Sequence, residues 1–482
     1  MSVNWSDEFP FPSTEQWVEE IKKSVKDPKD LEKLIWTTEN GFDLNAFYRK
    51  SDSETTGSSN LSSSNNHWDI RQIIYTDKII AANQSAILAL ENGADSLYFR
   101  ANQVGTEKEV EALLKDIRLD WISTHFDFEE SNVAWIYLYL DYLNTHQFDP
   151  QKIKGSINYD PLSELMMTGN FHYDEKESER IFSSVLQTIH EELPLFKIVN
   201  INASNVRESG GSAVQELAVA LSMLVEYLDW AEKNKLDQSL IWDHLQFHLS
   251  ISPEYFLEIS KLRAFKIMFK HLAAAYGREN ETPFIHAINS RSNKTIYDAN
   301  NNLIRSTTEA MSAAIGGASS ISIVPFDETY RLPDEFSYRL SRNIQLILKE
   351  EAFMDEVTDP SAGSYYIEQI TQKMVDASWK LFLEMEKNGG FIASLKNKFI
   401  QQKVQVIAEK HNNDFMSGKI VSVGTNKYPN KTEVKTGEYT KVEHTDISNE
   451  NKIAIPLKPI RLAEKLEFER IKQESNSTVT KN

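Results

Sequence analysis

The sequence predicts a (β/α)8 barrel with a polar-lined lumen, flanked by an N-terminal extension and a C-terminal tail. Two observations carry that expectation. Short apolar or mixed runs at residues 95–99, 121–126, 155–159, 198–202, 246–251, 284–288 and 320–324 alternate with stretches of helical period, and a weak eighth run lies near Tyr365. Such alternation is the pattern of parallel β/α units, and closure into a barrel is preferred over a doubly wound open sheet. The second observation is a shared parity. Ser123 and His125, Ser156 and Asn158, Asn200 and Asn202, His248 and Ser250, and Ser320 and Ser322 occupy alternate positions of five runs. Most barrels of this kind fill their interior with Val, Ile and Leu. Small polar residues there predict a hydrated bore wide enough for a slender polar ligand.

Taken in order, residues 1–66 form the extension. A helix is expected over 13–26, with Pro12 and Ser13 at its start, Gln16 completing a capping box and Trp17 on its apolar side. Residues 51–66, SDSETTGSSNLSSSNN, are low in complexity and almost wholly polar, and read as a flexible surface loop. Residues 67–400 form the barrel. Its first segment, 68–92, has mostly helical spacing, and further helices are expected at 106–115, 132–143, 178–191, 214–233, 254–275, 303–315 and 335–350. Residues 401–482 form a linker and strap. They include the proline-bounded PLKPIRLAEK and a short helix, with a frayed tail from Glu474.

The most informative run is FKIVNINASNVRESGG, residues 196–211. Ile198, Val199 and Ile201 mark a buried strand, while Asn200, Asn202 and Ser204 alternate with them before a glycine-containing loop. Something polar must face that second side.

Composition excludes several functions. A chain of 482 residues, 40% hydrophobic, has ample material for a large core. Zero cysteines exclude disulfides, thiolate metal sites and a cysteine nucleophile, and point to the cytoplasm. A net charge of −19 without a basic stripe argues against nucleic acid. No apolar run of membrane-spanning length is present, so no membrane partner is expected. The phosphate-cradling G-x-x-x-x-G-K-[ST], the zinc motif H-E-x-x-H and the nucleophile elbow G-x-S-x-G are all missing, and no metal site is expected. None of the eleven histidines has an aspartate two residues before it, so the D-x-H-x-x-G loop that ligates base-off cobalamin is not encoded.

Three stretches together resemble the methylmalonyl-CoA mutase family. They are FLEISKLRAFKIMFKHLAAAYG (256–277), YDANNNLIRSTTEAMSAAIGGASSISIVPFDE (297–328) and RLSRNIQLILKEEAFMDEVTDPSAGSYYIEQIT (339–371). The likeness spans roughly residues 11–468, and GSINYDPLSELMMTG (155–169) is similar to the small, β-type subunit of the two-subunit enzymes. The resemblance implies an N-terminal barrel threaded by the pantetheine of coenzyme A and a separate C-terminal cobalamin domain. About twenty residues follow Arg461 here, too few for that domain.

The resemblance also marks departures. Asn205 stands where catalytic members carry the histidine of H-M-Q-E-A-G, and an amide cannot titrate as an imidazole does. Thr168 stands where they carry the arginine that pairs the substrate carboxylate. Ile288 replaces the glutamine of an H-S-Q triplet whose histidine, His286, survives. Arg71, Arg263, His286 and Asn158 remain as candidate substrate-binding residues. The bland alternatives are an ion pair of Arg263 with Glu258 or Glu254 and a hydrogen-bonded lumen histidine at 286.

The reading that follows is a small, non-catalytic subunit paired with a large (α) methylmalonyl-CoA mutase subunit. That partner would bind the adenosylcobalamin and interconvert succinyl-CoA and (R)-methylmalonyl-CoA. Whether acyl-CoA still enters this barrel is left open. The alternative is a self-sufficient acyl-CoA mutase, or an acyl-CoA-binding protein, using cobalamin carried on another chain.

Overall fold

A computed structural model describes residues 12–25, 27–49, 52, 66–101, 104–128, 133–435 and 452–479. The low-complexity run expected at 51–66 falls almost wholly outside the described residues.

Eight parallel strands form the barrel: β1 (Asp69–Tyr75), β2 (Ser96–Ala101), β3 (Ser123–Phe128), β4 (Lys154–Ile157), β5 (196–202), β6 (Leu245–Ile251), β7 (Ile285–Asn289) and β8 (Ser320–Ser322). β5 is interrupted at Ile198. Its first half, Phe196–Lys197, pairs with β4, and its second half, Val199–Asn202, pairs with β6. Because β8 also pairs with β1, the ladder returns on itself and the barrel closes. The alternative of an open sheet is thereby rejected.

Each strand is followed by a ring helix: α1 (Ile79–Glu91), α2 (Glu107–Leu114), α3 (Val133–Thr145), α4 (Glu175–Glu192), α5 (Ala213–Lys233), α6 (Tyr255–Ala275), α7 (Asn301–Ile315) and α8 (Glu335–Leu346). The main apolar core lies between strands and helices. Phe126 of β3, for example, packs on Phe99 of β2 and on Trp135 and Tyr139 of α3 at ring distances of 4.2–5.6 Å. One glycine is dictated by the ladder. Gly155 has φ +141°, and a Cβ there would lie 1.8 Å from the Thr124 carbonyl oxygen of β3.

Two expectations need correction. Residues 68–92 are not one helix, because Asp69–Tyr75 is the first barrel strand and the helix begins at Ile79. Ile70, Ile73 and Ile74 imitate helical spacing because this strand is apolar on both faces, and no glycine or proline separates it from the true helix. The weak strand near Tyr365 is the start of a helix, Tyr365–Lys387, where packing against α6 overrides the β-propensity of Tyr-Tyr-Ile.

The N-terminal helix is Thr14–Ser24, with the Ser13/Gln16 capping box formed and none of its residues buried. Trp17 meets Phe47 at 5.5 Å. A hairpin of Trp36–Thr37 with Asp43–Leu44 follows. At the other end, Glu464–Val479 is helical, so order continues past Glu474, whose carboxylate accepts from Lys435 N at 3.0 Å and Arg470 Nε at 3.1 Å.

Candidate functional site

Alternation along the strands points one set of side chains into the lumen, and the polar parity read from the sequence is that set. Register places His125 opposite Ser156 and His286 opposite Ser320. Their Nδ1 atoms lie 2.8 and 2.9 Å from the respective serine hydroxyls. His248 packs against His286 at 5.0 Å, and Tyr98 reaches both rings at 6.3 and 5.6 Å. Gln246 donates to Asn200 and to His248, the latter at 3.2 Å. Arg71 enters this layer from β1, with its guanidinium 5.8 Å from the Phe284 ring. Burial drives His125, His248 and His286 below the ordinary imidazole range, His248 to about 3, and the Arg71 cation adds to the effect in all three.

The wall is therefore polar, as its sequence implies, but the bore is occupied by its own wall. Arg71, Asn200, Gln246, Ser250, His286 and Ser322 are fully buried, and His125, His248 and Tyr98 are 3% exposed. Level with His125 and beyond it, Ile73, Tyr98, Ile288 and Val324 make an apolar cluster. Two of its members, Tyr98 and Ile288, are large for a passage. The wide hydrated lumen expected from small side chains gives way to this fill.

Above that cluster a network of charges spans the C-terminal mouth. Arg291 Nε and Nη2 both reach Glu328 at 3.1 Å, and the Tyr75 hydroxyl donates to the same carboxylate. Burial alone would raise Glu328, but Arg291 and Arg100 hold it below the usual carboxylate range. Arg100 lies 3.4 Å from Asp127, which also accepts from Tyr98 at 2.8 Å and from Asn158 at 2.6 Å. Glu208 accepts from Ser250 Oγ at 2.9 Å and from Arg291 N at 3.0 Å.

The C-terminal strap crosses this mouth. Ala454 N, Leu457 N, Ile460 N and Leu462 N donate to the carbonyls of Gly169, Met166, Glu208 and Ser292, in the loops after β4, β5 and β7. Gly169, at φ +85°, permits the crossing, since a Cβ would lie 2.4 Å from the Ala454 oxygen. From the opposite terminus, Glu39 of the hairpin turn pairs with both Arg207 and His411, and Asn40 Oδ1 accepts from Val214 N at 3.1 Å. Neither clasp is visible in the sequence, because each joins residues more than 150 positions apart.

The residues singled out from the sequence separate into groups. Arg71, His286 and Ile288 share the lumen, and Asn158 lies above them on Asp127. Asn205 is half-buried on the short helix Ser204–Glu208 at the mouth. Thr168 ends the helix Pro161–Thr168, where its hydroxyl lies 2.9 Å from the Glu164 carbonyl and 2.8 Å from that of Asn170. Arg263 stands apart on α6, paired with Asp359 and with Glu368 at 2.7 Å. The acids expected to pair with it serve others: Glu258 lies 2.6 Å from Lys261, and Glu254 lies 3.9 Å from Arg207. Among the described residues one group has cation-ligand spacing, His67, Asp69 and Asp95 at the N-terminal face, where Asp95 already pairs with Lys349 at 3.0 Å.

The model for methylmalonyl-CoA mutase matches residues 101–461. A methylmalonyl-CoA mutase small subunit of Porphyromonas gingivalis is 36% identical, with 97% of this chain and 78% of that protein aligned. This chain belongs to the methylmalonyl-CoA mutase family. Within the family it is also similar to both subunits from Streptomyces virginiae. The small subunit is 27% identical over 88% of this chain and 72% of its own length; the large subunit is 26% identical over 87% and 62%.

Proposed function

We propose that this chain is the small, non-catalytic subunit of a heterodimeric, adenosylcobalamin-dependent methylmalonyl-CoA mutase that acts in the cytoplasm. Its partner is a large mutase subunit, which isomerises succinyl-CoA to (R)-methylmalonyl-CoA. The observation that carries this reading is the filled lumen. A pantetheine arm cannot pass a bore in which Arg71, Tyr98 and three imidazoles are packed to 3% exposure or less. The P. gingivalis relative, named as a small subunit, supports the same assignment.

The residues at the mouth do not fit a cobalamin. No D-x-H-x-x-G loop offers an imidazole ligand. Glu328, Asp127 and Glu208 are engaged by Arg291, Arg100, Asn158 and Ser250, beneath a strap hydrogen-bonded to three barrel loops. No reaction step is assigned to this chain. Asn205 cannot deliver a proton, and the Thr168 hydroxyl closes a helix end instead of meeting a carboxylate.

The role left is structural: a closed barrel that stabilises the large subunit. The test compares mutase turnover with added adenosylcobalamin for this chain alone and for this chain co-expressed with the large subunit. Turnover is expected only with the partner. Turnover by this chain alone would establish the self-sufficient enzyme instead.

A further inference from the structure

The sequence contains three Asn-Gly dipeptides, Asn40-Gly41, Asn92-Gly93 and Asn388-Gly389. In such a pair the side-chain amide most readily meets the next backbone nitrogen, because glycine has no Cβ to block the approach and leaves its own dihedrals free. In a folded chain the meeting depends on how firmly the side chain and the intervening peptide are held.

The three differ in that respect. Asn40 is 6% exposed, and its Oδ1 accepts from Val214 N at 3.1 Å, which commits the side chain to the start of α5. Asn92 is exposed, but its Nδ2 donates to the Leu88 carbonyl at 2.7 Å, and its own carbonyl accepts from Arg342 Nε at 3.0 Å. That second bond pins the peptide that would have to turn. Asn388 has none of these restraints. It caps the C-terminal end of the helix Tyr365–Lys387, is exposed, and its side-chain amide makes no hydrogen bond to another described residue. Two glycines follow, both with positive φ, +96° at Gly389 and +85° at Gly390. The Gly389 N–H is held by the Glu386 carbonyl at 3.0 Å. At ψ 1° the Asn388 side chain is turned from the Gly389 nitrogen, so ring closure needs that dihedral to rotate. A helix end followed by two glycines opens for it at little cost.

We propose that Asn388 is a site of spontaneous deamidation, converted to aspartate and isoaspartate while Asn40 and Asn92 are spared, and that the carboxylate it gains loosens this helix end. The Gly389 nitrogen attacks Cγ of Asn388. The new N–Cγ bond closes a succinimide as the Cγ–Nδ2 bond breaks, and Nδ2 leaves as ammonia with the proton of the Gly389 amide. Water then opens the ring at Cγ to give aspartate, or at the main-chain carbonyl carbon to give isoaspartate, whose chain runs through Cγ. The product charge lies at a helix C-terminus, where the dipole is already negative. It also enters the neighbourhood of Glu226, which accepts from Ile392 N at 3.3 Å and is pushed up to about 7 by burial, with Asp229 and Glu386 adding to the shift. The proposal does not rest on the subunit reading, since the reaction needs only this helix end and water.

The test incubates the full chain at mildly alkaline pH in heavy-oxygen water and maps its peptides by mass spectrometry. A heavy oxygen marks reaction during the incubation and not during digestion. The peptide holding Asn388 is expected to take up label at least about tenfold faster than those holding Asn40 or Asn92, the margin of a frayed end over anchored ones. In urea the three rates are expected to converge. Asn388→Gln, whose longer side chain closes only a less favourable ring, is expected to lose the label at that position. Asn388→Asp, which installs the charge directly, is expected to speed amide exchange over residues 389–392. An unlabelled Asn388 in the folded chain, or equal labelling of Asn40 or Asn92, would overturn the site. A lead for Asn388 that persists undiminished in urea would overturn its structural origin, and unchanged exchange in Asn388→Asp would overturn the loosening.

Discussion

The lower lumen and the mouth of this barrel are both polar, and they differ in how their charges are answered. At the mouth, Glu328 is shared by Arg291 and Tyr75, Asp127 by Arg100, Tyr98 and Asn158, and the strap is hydrogen-bonded over them. A few residues deeper, Arg71 and two imidazole nitrogens have no hydrogen-bond partner at all. Polarity of a strand face therefore says little by itself; pairing tells what the polarity does. Paired groups hold the mouth together, whereas the lumen cation is answered only at longer range, by the charge of Asp69.

The contrast can be broken most severely beneath the mouth. Lys261 is fully buried between Glu216 at 2.8 Å and Glu258 at 2.6 Å. Lys261→Met should leave Glu216 without its cation and Glu258 with only Arg207, 3.7 Å away, and cost about 3 kcal/mol in urea unfolding, as for other buried pairs that lose one partner. A cost near zero would mean the network is not a structural anchor.

Acid should act on the other region. Burial sets the folded-state value of His248 at about 3, against 6.5 for an ordinary imidazole. Its contribution is therefore present above about 6.5 and is lost as pH falls toward 3. His125 and His286 shift in the same direction. Lowering pH from 7 to 5 should cost about 1–2 kcal/mol from His248, and His248→Gln should flatten that slope. An unchanged slope in the variant would place the acid-sensitive groups elsewhere.

The strap offers a smaller perturbation. Gly169→Ala combines φ +85° with a Cβ against the Ala454 oxygen, and should cost about 1 kcal/mol or more while accelerating amide exchange over residues 452–462. Exchange unchanged in that stretch would separate the strap from the mouth. Least of all should follow from Asn205→His. It restores one imidazole at a half-buried position, with an expected stability change within about 0.5 kcal/mol and no turnover. Turnover from that single change would show that Thr168 and the filled lumen matter little.

Much of this architecture was legible in the sequence. The strands from Ser96 to Ser322 announce themselves by short runs between helical segments, and the lumen by its alternating Ser, Asn and His. What escaped has physical causes. β1 hides because Ile70, Ile73 and Ile74 satisfy helical spacing while facing both sides of a strand. The fill escaped because residue type gives no reach: Ser and Asn suggest space, but Arg71 and Tyr98 cross from neighbouring strands to take it. Arg263 and the Glu39–Arg207 clasp depend on partners 96 to 168 positions away, which no local pattern encodes.

Titration calorimetry of the isolated chain with succinyl-CoA tests the central claim most directly. A closed barrel predicts no saturable heat, and the same null result for Arg71→Gln. Stoichiometric binding of succinyl-CoA that disappears in Arg71→Gln would show that the lumen still admits the substrate, and would contradict this account.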